Sequence, residues 1–121
     1  MKGKTNTRES DSITVSDEIV AICAVNATLK THGVLRMAGG FSNALSKNLL
    51  GKDLLSKGVK VSQDDDGIEM DVHVIVEYGH KIPAVAWDIQ ENVKKEISTM
   101  IGKQVKTVNI HVQGVETDDS K

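Results

Sequence analysis

Aromatic residues are almost missing from this 121-residue sequence: one Phe, one Tyr and one Trp make up 2% of it. Surfaces that bind single-stranded nucleic acid stack bases on aromatic rings, so this scarcity weighs against such a platform. Cys23 is the only cysteine, which rules out an internal disulfide and any zinc site built on several thiolates. No apolar run reaches transmembrane length or has a signal-peptide layout, and the polar start argues against a membrane anchor. A cytoplasmic protein without direct membrane insertion is the expectation. There is also no excess of one charge. Fifteen Lys and Arg stand against 17 Asp and Glu, a net charge of −2, and the lysines are interspersed with acids. That weighs against nonspecific binding to nucleic acid or anionic lipid.

What is present is periodicity, clearest between Ile68 and Val115. Pro83 suits the first helical position, and Gly102 followed by Lys103 supplies a stop. Between them Ile82, Val85, Ala86, Ile89, Val93, Ile97, Met100 and Ile101 recur at three- and four-residue spacing, one apolar stripe that needs a sheet to cover. Before this helix Ile68, Met70, Val72, Val74, Val76 and Tyr78 alternate with Glu69, Asp71, His73 and Glu77, interrupted only by Ile75. After it Val108, Ile110 and Val112 alternate with Thr107, Asn109, His111 and Gln113. Both read as strands covered on one side.

The remaining elements are read in the same way. Residues 1–12 are polar and form an expected disordered arm, residues 13–115 one domain, and residues 116–121 a second loose tail. Ile13–Val15 is read as a short strand. Ser16 is the N-cap of an apolar helix running to His32-Gly33, rich enough in Ile, Val and Ala to be deeply buried or shared with a partner. Val34–Met37 is a further strand, Ala38-Gly39-Gly40 a turn, and Phe41, Ala44, Leu45 and Leu49 mark a short helix ending near Gly51. A strand opens at Lys57–Val61, and Asp66-Gly67 signals a tight hairpin into Ile68. This order predicts an α+β fold, a two-layer sandwich with a mainly antiparallel sheet, two principal helices on one face and an open polar face.

Six blocks carry a resemblance: Ser16–Val20, Met37–Gly40, Lys57–Val61, Val76–Gly79 with Ile82-Pro83, Ile89–Lys94 and Val108–Val115. In this order they resemble the alkaline-shock-protein and general-stress-protein family of Gram-positive bacteria, over residues 13 to 115. The resemblance implies a nonenzymatic cytoplasmic adaptor or scaffold in cell-envelope homeostasis and stress response. It also implies protein partners, homo-oligomers and, for some members, a small membrane protein that anchors them; other members are connected with lipid synthesis. It brings no catalytic residue and no cofactor.

If their strands are neighbours, His73 and His111 with Asp71, Glu69 or Glu77 form a set that can bind zinc, yet a wet polar face is the plainer reading and no metal site is assigned. The same groups form no enclosed acid–base pair. Cys23, in an apolar helix, reads as a packed small hydrophobe. A small RNA-binding module is the alternative class, although the Gly-x-x-Gly clamp of one such module is absent. Trp87 falls well off the helix stripe, and tryptophan is seldom left exposed without a reason. It either folds over the helix edge or, with His80, Lys81, Gln90, Glu91 and Lys94, forms a protein-docking surface.

Overall fold

In a computed structural model the chain is described over residues 13–38 and 58–118. The elements there are α1 (Asp17–Leu29), β1 (Val34–Met37), β2 (Val59–Asp64), β3 (Gly67–Glu77), α2 (Ile82–Met100) and β4 (Val105–Glu116). The expected arm at 1–12, the helix marked by Phe41 to Leu49 and the last three residues of the expected tail lie outside the described residues.

β3 is the centre of the sheet. β4 runs parallel to it from Ile68↔Val105 to Glu77↔Glu116 and so occupies one whole edge. β1 and β2 pair with β3 antiparallel, at Val74–Val76 and at Gly67–Val72, end to end along the other edge. His73 shows this directly. Its N–H donates to the Gly58 carbonyl and its carbonyl accepts from the Ala38 N–H, both at 2.8 Å, and the two groups of one strand residue point to the same side. Two of the three pairings are therefore antiparallel, and α2 is the crossover that the parallel one requires.

Both helices lie on one face of this sheet. Val20, Ala24 and Ala27 of α1 and Val85, Ile89, Val93 and Ile97 of α2 close over Ile68, Met70, Val72, Val74 and Val76 of β3. Full burial of one such Val or Ile contributes about 1.5–3 kcal/mol, so this row dominates the stability of the domain. The ends are held by local chemistry. The Ile19 N–H donates to the Ser16 hydroxyl at 3.2 Å, and at the far end of α2 the Gly102 N–H, with φ +82°, donates to the Ser98 carbonyl at 3.1 Å. Pro83 falls at the second helical residue and is tolerated in that first turn. In the hairpin the Asp64 carboxylate accepts from the N–H groups of Asp66 (2.8 Å) and Gly67 (3.2 Å), an Asx turn.

Several expectations are corrected. Ile13–Val15 forms no strand: Ile13 is 89% exposed, and the Val15 carbonyl accepts from the Gln63 side chain instead of a strand ladder. Tyr78 leaves the core face and is 72% exposed, because β3 ends at Glu77 and the chain turns at Tyr78-Gly79. The α2 stripe frays at its ends, where Ile82 is 39% and Met100 65% exposed. α1 ends at Leu29, short of His32-Gly33, and its Ile19 and Leu29 each remain 48% exposed, which leaves apolar surface for a partner to share.

Candidate interaction surface

The side of α2 away from the core carries most of the candidate residues. Trp87 is 61% exposed, and Glu91 and Lys94 are exposed four and seven residues after it, on the same face. Gln90 fixes the azimuth of this face. Its Nε2 donates to the Val108 carbonyl at 3.0 Å, so the flank of α2 that bears Gln90 overlooks β4. At about 100° per residue Trp87 and Lys94 lie on that same flank, further from the sheet. Together they form a shoulder beside the outer edge of the parallel strand.

The corner before the helix is separate. Lys81 is exposed and is the N-cap residue, with no side-chain cap bond. His80 turns the other way: its ring packs edge-on against His32, with centroids 4.7 Å apart, and Nε2 lies 3.2 Å from Glu77 Oε1. His80 thus bridges the segment after α1 and the end of β3, and the expected docking set divides into a helix shoulder and a histidine corner.

On the open face of the sheet the histidines do meet. His73 and His111 are register partners in β3 and β4, and their rings stack with centroids 4.5 Å apart and planes 14° apart. His111 Nε2 lies 2.9 Å from Asp71 Oδ1, which also accepts from Asn109 Nδ2 at 3.3 Å. The hydrogen bond from His111 is the main cause holding the Asp71 carboxyl below its usual range. Burial, followed by the neighbouring His111, pushes the His73 pKa down. The other acids go elsewhere: Glu69 pairs with Lys106 at 3.4 Å, and Glu77 with His80. Among the described residues no group of three or more His, Cys, Asp or Glu is placed to hold a metal ion.

Sequence reading missed two features of this region. Arg36 and Glu116 form a bidentate pair across the end of the open face, at 2.7 and 3.1 Å. Their 80-residue separation gives no local signal. The outer apolar row of β4 is also incompletely covered: Ile110 and Val112 are half-buried, and Val115 is 42% exposed. Cys23 is half-buried, and burial, then Glu96, pushes its thiol pKa up, as suits a packing role more than a nucleophile. No helix of the described residues is long and apolar enough to cross a membrane.

Comparison with known proteins agrees with this architecture. Solved structures of the MamM C-terminal domain share the fold, with a TM-score of 0.50 and 14% identity over 82% of this chain and 99% of that domain. Closer in sequence are two Bacillus subtilis proteins. YloU is 39% identical over 85% of this chain and 87% of its own length, and YqhY is 34% identical over 88% and 78%. A Streptococcus pyogenes protein named as a stress response regulator, the gls24 homolog, is 24% identical over 88% of this chain, which spans 60% of that protein. A family model of cell envelope-related function matches residues 5–117. By that match, and by its likeness to YloU and YqhY, this chain belongs to the alkaline-shock protein 23 family.

Proposed function

We propose that this protein is a nonenzymatic adaptor or scaffold on the cytoplasmic side of the cell envelope, acting in envelope homeostasis and stress response through protein contacts. The observation that carries the reading is Trp87, 61% exposed on a helix whose opposite side is buried in the core at Val85, Ile89, Val93 and Ile97. A large amphipathic ring held out by a rigid helix is the type of group that dominates interface energies. Glu91 and Lys94 supply a charged rim, and Lys81 adds a cation at the start of the helix. The family's cell envelope-related function and the stress-regulator name of one relative support this role. The partners are proteins: further copies of the chain, and a small membrane protein that would hold it near the bilayer.

The test is complementation. A Gram-positive strain lacking this protein should lose tolerance to alkaline or envelope stress, and wild type should restore it. Trp87→Ala, expressed at the same level, should not. Full rescue by Trp87→Ala would remove the helix shoulder from the function, and an unimpaired deletion strain would remove the stress role.

A further inference from the structure

The two edges of the sheet are finished differently. One is made of β1 and β2, four and six residues long. The chain leaves the described part at Ala38 and re-enters at Gly58 on this same side. The other edge is β4, a single strand of 12 residues with no strand beyond it among the described residues. Proteins guard such edges with proline, charge, bulges or short strands, because unpaired N–H and C=O groups template another chain. β4 has no proline, and from Thr107 to Val115 it has no Asp, Glu, Lys or Arg. Its register irregularities lie between Val105 and Thr107 and between Val112 and Gly114, which leaves Thr107–Val112 as a regular, uncharged ladder; at its start the outward Val108 carbonyl already accepts from Gln90 Nε2 at 3.0 Å and has a second lone pair for a neighbouring strand.

This stretch is self-complementary. We propose that the free edge of β4 pairs antiparallel with β4 of a second copy, centred on Ile110, joining two four-stranded sheets into one continuous sheet with Trp87 of each copy beside the seam. The proposal deepens the protein-contact reading above, on which it rests, by naming the edge and the register through which two copies meet. Directly opposed residues of an antiparallel pair share a face, so the centre must be a residue and not a peptide bond. With Ile110 at the centre, Val108 faces the second copy's Val112, and Ile110 faces its own counterpart. On the open face, Asn109 lies opposite His111. Centring on Asn109 would instead set Lys106 against Val112. Centring on His111 would set Thr107, on the open face, against Val115, which the bulge has returned to the core face. The pairing also covers what a single copy leaves wet: half-buried Ile110 and Val112 extend into one apolar row, flanked by the Trp87 shoulder that Gln90 anchors to Val108.

The test is register-specific cross-linking. In a Cys23→Ala background, chains bearing Asn109→Cys are mixed with chains bearing His111→Cys under mild oxidation, and mass is followed by light scattering against concentration. Both sites are exposed on the open face; the changes remove their contacts with Asp71, so each variant is first shown to unfold cooperatively like its parent. Directly opposed residues lie about 4.5–5.5 Å apart, within disulfide range, whereas diagonal ones lie about 7–8 Å apart. The mixed disulfide should therefore form faster than either homodimer, and the mass should rise towards a dimer without any cross-link. A monomer mass at every concentration, or mixed and homodimeric disulfides forming at equal rates, would overturn the pairing. Either result would leave the complementation test of Trp87→Ala untouched, so the two readings fail separately.

Discussion

His73 and His111 occupy paired positions of β3 and β4, with rings stacked 4.5 Å apart, and His111 also contacts Asp71 at 2.9 Å. Folding lowers the pKa of His73, chiefly by burial, and that of Asp71, chiefly through its bond with His111. The unfolded chain then binds more protons than the folded one around and below each ordinary value. The His73 contribution is complete above about pH 6.5 and is lost as pH falls through the folded value. The Asp71 contribution follows below about pH 3.9. Urea midpoints should therefore decline between pH 7.5 and pH 5.5, and His73→Gln should flatten that part of the curve. An unchanged slope in His73→Gln would show that other groups set it.

Thr31 ties the two helices together. Its buried hydroxyl donates to the Ala27 carbonyl at 2.9 Å and accepts from Asn92 Nδ2 at 2.9 Å. Thr31→Val should cost about 1–3 kcal/mol, because polar groups in the helix contact lose their partner. Asn92→Ala should cost about 1 kcal/mol. In a double-mutant cycle the two losses should not add, since both remove the same bond. Additive losses in denaturant unfolding would contradict this coupling.

At Gly67 the start of β3 passes close to the segment before β4. A Cβ there would stand 2.7 Å from the Gln104 carbonyl oxygen, and the backbone φ is +138°. Gly67→Ala should therefore lower stability by more than the roughly 1 kcal/mol that positive φ alone costs. Gly79→Ala, at φ +103° with nothing within 4 Å, should cost only that strain. Equal losses would show that the Gln104 carbonyl moves aside.

Trp87 and Ile89 stand two residues apart in α2 and should respond oppositely. Ile89 is fully buried, so Ile89→Ala should cost about 2–5 kcal/mol. Trp87→Ala, at an exposed position, should change stability by no more than about 0.5 kcal/mol. Trp87 is also the only tryptophan in the chain, so its emission reports this surface alone. The emission should be that of a water-exposed indole in dilute solution and should shift to the blue as contacts form.

How much of this was legible follows from the range of each signal. α2, β3 and the Asp64–Gly67 hairpin announce themselves through periodicity and turn chemistry that act over a few residues. Trp87 was legible from helical phase. Alternation, however, does not name a strand's neighbour. That β4 lies parallel to β3, and so brings His111 onto His73, comes from the crossover and not from either strand alone. Tyr78 continues the alternation of β3 on paper, but the turn at Gly79 removes it from the sheet. The Gln90–Val108 and Arg36–Glu116 contacts join segments that no local pattern connects.

The central claim, that this domain works by protein contact through the Trp87 shoulder, is tested most directly by affinity capture. Wild type and Trp87→Ala, both shown to be folded, would be compared in a nuclease-treated Gram-positive lysate containing solubilised membranes. Recovery of a defined envelope protein by wild type and its loss with Trp87→Ala is the predicted result. The same proteins recovered by both, or only nuclease-sensitive material recovered by either, would contradict the account.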